Sequence, residues 1–186
     1  IHESERIAEI VRSLLDFARH ERQSKSAARM EDIVNSVLSL TRAVLRHDQI
    51  AVDIQVPDNL PTVLCRSQQI QQVLMNLITN ARDALDERYP DFDANKRVEI
   101  RCEVQETEDG RRLRTSVTDH GVGIPEDRRE RIFDPFFTTK GRDKGTGLGL
   151  SISHSIAAEH EGRLTCESVP GDHTVFYLDL PLDNDA

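Results

Sequence analysis

Asn76 and Asn80 stand one helical turn apart in a stretch, Ser67 to Glu87, whose apolar residues Ile70, Val73, Leu74, Leu77, Ile78, Ala81 and Leu85 fall on one face. Gln72, Asn76, Asn80 and Asp83 fall on the other. Asparagine is a poor helix former, and two at this spacing aim both amides at one spot. A hard cation such as Mg²⁺ takes a few oxygen ligands, keeps water and shares phosphate oxygens, so a single amide oxygen would suffice there. The plain alternative is two solvent-facing residues. Further on, Asp119 ends a strand-like run and precedes Gly121 and Gly123 in Asp119-His120-Gly121-Val122-Gly123. Glycines at such a place let backbone approach a ligand closely, while a turn-favouring Asp is the ordinary alternative. Gly145, Thr146, Gly147, Leu148 and Gly149 open a helix, where free N–H groups and the helix dipole suit phosphate; a flexible turn is the alternative. Lys140 is the first choice for a cationic phosphate contact and Lys144 the second, each against a solvated lysine. Phe133, Phe136 and Phe137 border this segment and are half of the chain's 6 Phe, more than core packing alone explains. Taken in order, the Asn76 to Asn80, Asp119 to Gly123, Phe133 to Phe137 and Gly145 to Gly149 blocks describe a nucleotide-phosphate site.

These side chains need elements to position them. Met30, Ile33, Val34, Val37, Leu38, Thr41, Val44 and Leu45 predict a helix over about Met30 to Arg46 with that side toward a core. Ile50, Val52, Ile54 and Val56 alternate until Pro57, a half-buried strand, and a short strand at Thr62 to Cys65 follows. After the asparagine-bearing helix, Val98, Ile100, Cys102 and Val104 alternate, Asp109-Gly110 supplies a turn, and Leu113, Thr115 and Val117 alternate again. This is a β-hairpin whose second strand delivers Asp119. A short helix near Glu126 to Ile132 leads to the segment Phe133 to Thr146, which reads as a mobile lid. A helix over about Leu148 to Glu161 and strands at Arg163 to Glu167 and His173 to Leu180 complete a two-layer α/β sandwich with a mixed, mostly antiparallel sheet. Ahead of it, Ile7, Val11, Leu14 and Ala18 recur at helical spacing, the mark of a helix seeking a partner helix. The polar stretch Arg19 to Arg29 is a linker or a frayed helix end.

Composition narrows the function. The 186 residues suit one domain of about 150 residues with a short appendage. A net charge of -9, from 24 Lys+Arg against 33 Asp+Glu, would repel nucleic acid and anionic membrane. Cys65, Cys102 and Cys166 are odd in number and lack metal-like spacing, so a reducing cytoplasm is the simpler setting and the three are expected to pack as small core residues. His120, His154, His160 and His173 form no metal-like group and are expected to be structural or surface residues. No apolar run approaches the roughly 18 residues of a membrane span, and no leader is recognisable. A longer, membrane-anchored parent is compatible with both observations.

The four blocks together resemble the N, G1, F and G2 boxes of bacterial sensor histidine kinases, whose ATP-binding domain shares the Bergerat fold with DNA gyrase, heat-shock chaperones and mismatch-repair ATPases. The resemblance covers residues 30 to 181. It implies ATP as substrate, ADP as product and Mg²⁺ as metal, with Asn80 as metal ligand and Asn76 its N-box neighbour, acting in catalysis together with Lys140. It implies that Asp119 accepts a hydrogen bond from the adenine amino group, which guanine cannot give, and that Gly121 and Gly123 lie close to the base. Lys140, Lys144, Gly145, Thr146, Gly147, Leu148 and Gly149 would bind the phosphates, Thr174 would stand on the adenine side, and the three phenylalanines would hinge the lid. Where hydrolysing branches of the superfamily carry a Glu, this chain has Asn76, and an amide cannot act as a general base. That favours transfer of phosphate to a protein group. Asp83 stands where many of these kinases have Lys or Arg; the Asn-Ala-x-Asp-Ala pattern resembles the nitrogen-regulation sensor branch and shifts phosphate contact to the lid cations.

The same resemblance divides the chain into 1–24, the second helix of a dimerisation hairpin; 25–29, a linker; 30–182, the catalytic ATP-binding domain; and 183–186, a tail. The hairpin's acceptor motif resembles His-Glu-x-x-x-Pro, and His2-Glu3 lacks its Pro, so the acceptor His is expected outside this chain. Expected partners are the protein's own hairpin, in a homodimeric parent, and a response regulator receiver domain, with no nucleic acid and no direct membrane contact. Two other readings remain: an ATP-hydrolysing clamp of the gyrase or chaperone kind, and a serine kinase relative of the anti-sigma type.

Overall fold

The computed structural model describes residues 24–107, 110–138 and 145–183. Along the chain these form β1 (Ser26–Ala28), α1 (Met30–His47), β2 (Ala51–Gln55), β3 (Val63–Cys65), α2 (Ser67–Arg88), β4 (Arg97–Thr107), β5 (Gly110–Asp119), α3 (Glu126–Arg129), α4 (Gly149–Glu159), β6 (Arg163–Val169) and β7 (His173–Pro181). Five strands make one sheet in the order β2-β4-β5-β7-β6, parallel between β2 and β4 and antiparallel elsewhere. The mixed, mostly antiparallel α/β sandwich expected from the periodicities is the architecture observed.

Strand alternation sets the two faces. Val98, Ile100 and Cys102 on β4 and Leu113, Thr115 and Val117 on β5 are buried, while Arg101 and Glu103, alternating with them on β4, face outward. Against the buried face lie α2 and α4. In α2 the residues Ile70, Val73, Leu74, Leu77, Ile78, Ala81 and Leu85 are all buried, so its polar side is directed away from the core. Truncating Leu77 or Ile78 to Ala would cost about 2–5 kcal/mol. Cys65 and Cys102 are core residues as expected, and Cys166 is half-buried.

Four local expectations change. Val44 is 44% exposed, because Thr41 and Leu45 occupy the core-facing positions of α1 and Val44 is rotated away. Ser26–Ala28, read as a linker or helix end, pair antiparallel with β3 as a two-stranded sheet, Ser26 opposite Cys65 and Ala28 opposite Val63. A non-local backbone partner decides that strand, which Ser-Ala-Ala does not encode. The short helix after the Asp119 block is regular only over Glu126–Arg129. The strand after α1 spans Ala51–Gln55, with Ile54 42% exposed on the sheet edge. The expected helix around Ile7 to Ala18, residues 139–144 of the lid and the hairpin turn at Asp109 lie outside the described residues.

Candidate active site

One side of α2 is the floor of the site. Asn76, Asn80, Ala84 and Arg88 recur every four residues along it, and Asn76 and Ala84 dock the helix to its neighbours. The Asn76 amide nitrogen donates to Gly149 O at 3.1 Å and to Ser153 Oγ at 3.1 Å, and Ser153 Oγ donates to Gly149 O at 2.9 Å. Both amide hydrogens are thus committed to α4, so the group Asn76 has left for a ligand is its carbonyl oxygen. Two turns further on, Ala84 meets the Asp119 block. Val122 N–H donates to Ala84 O at 3.3 Å, and a Cβ on Gly121 would lie 2.6 Å from the Ala84 carbonyl carbon. Glycine is required there by close approach, not by a turn. Asn80 lies midway between these two docking points, partly exposed.

Asp119 closes β5 opposite Thr174 of β7 and Val98 of β4. Its side chain is buried, with Oδ1 accepting the Gly121 N–H at 2.9 Å. Burial pushes its pKa up to about 6, against the opposing pull of that N–H and of His120 and His173. Thr174 is buried beside it and its hydroxyl lies 3.0 Å from Ser168 Oγ. Ser168 Oγ donates to His173 O at 2.8 Å and accepts the Ile124 N–H at 2.8 Å, so the remaining proton comes from Thr174. Gly123, at φ +71°, has Val169 O 2.4 Å from where a Cβ would be. The expected base-side group, Asp119, Gly121, Gly123 and Thr174, therefore converges at the ends of β5 and β7.

The phosphate-side group is also brought together as far as it is described. Gly147 has φ +69°, and a Cβ there would sit 2.5 Å from the Phe136 carbonyl carbon. Phe136 N–H donates to Gly147 O at 2.9 Å, which ties the phenylalanine block to the start of α4. Phe133 stacks on His154 with centroids 5.1 Å apart, Phe137 lies under the Arg131 guanidinium at 4.8 Å, and Phe136 is 65% exposed with φ +65°. Thr146 Oγ1 accepts from Leu148 N–H at 3.4 Å. Gly145 and Thr146 border the segment that carries Lys140 and Lys144, and both lysines lie outside the described residues.

The donor set suits a nucleotide and a cation shared with it. A buried carboxylate with one oxygen engaged by backbone can accept from a base amino group. Among the described residues no three His, Cys, Asp or Glu converge as a self-sufficient metal site. His120 pairs with Glu99, Nε2 to Oε1 2.9 Å. Arg88, Ser153 and Ser168 were invisible to sequence reading: a cation at a helix end and serines in amphipathic runs are ordinary until their distant partners are known.

Comparison with known proteins supplies the context. Residues 65–184 match the family described as histidine kinase-, DNA gyrase B-, and HSP90-like ATPase. The chain is similar to sporulation kinase E of Bacillus subtilis (strain 168), 30% identical over 184 residues, which cover 99% of this chain and 23% of that protein. Among solved structures it resembles the nucleotide-free catalytic domain of histidine kinase ThkA, with TM-score 0.72 and 31% identity over 86% of this chain and 97% of that one. Full-length ShkA in complex with AMPPNP is similar at TM-score 0.72 and 25% identity, over 97% of this chain and 37% of that one. The chain thus spans about a quarter of the curated relative and over a third of the full-length kinase structure.

Proposed function

The chain belongs to the family of histidine kinase-, DNA gyrase B- and HSP90-like ATPases, as an ATP-binding catalytic domain of the sensor histidine kinase kind, and from that premise we propose that it transfers the γ-phosphate of ATP to a histidine on a dimerisation hairpin. Asp119 takes the adenine amino group, with Thr174 beside it and the Gly121 and Gly123 backbone against the base. Asn80 is the protein's ligand to Mg²⁺, which when bound neutralises phosphate charge. Gly145, Thr146, Gly147, Leu148 and Gly149 offer backbone N–H groups to the phosphates, and Lys140 and Lys144 offer charge.

The observation that carries the reading is Asp119: a buried carboxylate at a strand end, one oxygen held by Gly121 N–H, with glycines packed so closely that no side chain fits. Asn76 supports transfer over hydrolysis. It stands where the hydrolysing relatives need a base, it is an amide, and its N–H groups are spent on Gly149 and Ser153. The parent is a homodimer that passes phosphate to a receiver domain, in the cytoplasm. Calorimetry with ATP tests the site directly. Asn80→Ala removes most of the Mg²⁺-dependent part of the affinity, and an unchanged dependence on Mg²⁺ would sink the assignment of Asn80.

A further inference from the structure

Arg88 is the last residue of α2, where a cation ordinarily complements the helix dipole and stays in water. This one reaches out of its helix. Its Nη1 lies 3.0 Å from His120 O, 3.0 Å from Gly121 O and 2.8 Å from Asp172 O. Two N–H bonds are shared by three carbonyl oxygens that would otherwise repel one another, while the guanidinium carbon sits 5.1 Å from the Tyr89 ring. Two of the carbonyls belong to the residues that follow Asp119. The third lies two residues before Thr174. Asp119 and Thr174 are the pair that face each other across β5 and β7, so the guanidinium clamps together the segment leaving one and the turn entering the other. The same segments are also tied by Gly171 N–H to Val122 O, 2.8 Å, and through Ser168 Oγ, which accepts the Ile124 N–H and donates to His173 O.

We infer that Arg88 is a positioning residue for the nucleotide base: by drawing the carbonyls of His120, Gly121 and Asp172 to one nitrogen, it holds the loop that leaves Asp119 against the turn that enters Thr174, and so shapes the wall of the base site around a pair whose own spacing the β5–β7 ladder fixes. The inference rests on the adenine-binding reading given above. It requires that Arg88 touch the walls of the base site and not the triphosphate, so its loss separates base recognition from phosphate binding.

The test compares Arg88→Gln and Arg88→Lys with the unaltered chain in binding ATP and inorganic triphosphate, both with Mg²⁺, and follows amide exchange of residues 120–123 and 171–174 without ligand. Arg88→Gln should weaken ATP about tenfold or more, the scale of a lost charged hydrogen bond, and leave triphosphate within about twofold. Exchange in both segments should rise. Arg88→Lys keeps the charge but not the fork, and should fall between the two; it decides the matter if Arg88→Gln does not fold. Equal weakening of ATP and triphosphate, or unchanged ATP affinity in a folded variant, overturns the inference. An unaltered chain that binds ATP no better than triphosphate overturns instead the adenine reading, and the exchange measurement then still decides whether Arg88 holds the two segments.

Discussion

Asp119 and Thr174 lie opposite each other in the ladder between β5 and β7, 3% and 2% exposed, as a polar pair at the margin of an apolar core. Each is held by a neighbour. Gly121 N–H fixes the carboxylate and Ser168 Oγ takes the threonine proton. A buried carboxylate without a full set of donors is costly to a fold, and in the proposed reading the base amino group completes the set.

That cost gives a pH dependence. Asp119 has its pKa raised to about 6 from 3.8, so the folded state favours the protonated acid. The relative stability this supplies is present below 3.8 and is lost as pH rises through about 6. Charging the group in the fold therefore costs about 3 kcal/mol at neutral pH. Asp119→Asn is expected to raise the denaturation midpoint of the free protein at neutral pH while weakening ATP by about 1–3 kcal/mol. Urea titrations and calorimetry on the same variant check both signs; lower stability together with weaker binding would show that the carboxylate is structural.

ATP affinity should follow the same group. It should hold steady above about 6 and decline as pH falls through that value, because the protonated carboxyl offers the adenine amino group fewer acceptor sites. Binding to Asp119→Asn should lack this step, and a matching step in the variant would assign it elsewhere.

His160 makes a second, purely structural pH prediction. It is buried, its Nε2 accepts the Arg66 N–H at 3.0 Å, and its Nδ1–H donates to Ile156 O at 2.8 Å. Burial holds its pKa below 6.5. The neutral ring's contribution is therefore present above 6.5 and lost as pH falls toward the folded value. His160→Ala should cost about 1–3 kcal/mol at neutral pH and flatten the acid-side decline of stability followed by circular dichroism. A decline of the same steepness in the variant would exclude His160 as its origin.

Two glycines separate strain from close approach. Gly110, at φ +104°, has open space around it, and alanine there should cost about 1–2 kcal/mol of stability and nothing in nucleotide binding. Gly121→Ala drives a methyl into Ala84 and should displace the loop after Asp119, weakening ATP about tenfold or more, the equivalent of about 1.4 kcal/mol. Equal ATP affinity in the two variants would mean that the loop does not form the base site.

The order of legibility follows the range of the forces. The apolar faces of α1 and α2, the alternation in β4 and β5, and the arrival of Asp119 at a strand end are local patterns, and the fold keeps them. Ser26–Ala28 became a strand because of Val63–Cys65, a partner no window around residue 26 contains. Val44 turned outward because two neighbours fill the core positions first. In the site, Asn76 and the Gly149 block were each visible, but their union through Ser153 required the two helices to be packed. Arg88 gave no sign, since its partners lie more than thirty positions away along the chain.

Phosphoryl transfer to a histidine is tested most directly by incubating the chain with Mg²⁺, γ-labelled ATP and a separately supplied dimerisation hairpin that carries an acceptor histidine. Acid-labile label should appear on the hairpin, greatly reduced by Asn80→Ala and by Asp119→Asn, with little free phosphate released. Steady release of inorganic phosphate with no label on the hairpin would contradict it and place the chain among the hydrolysing relatives.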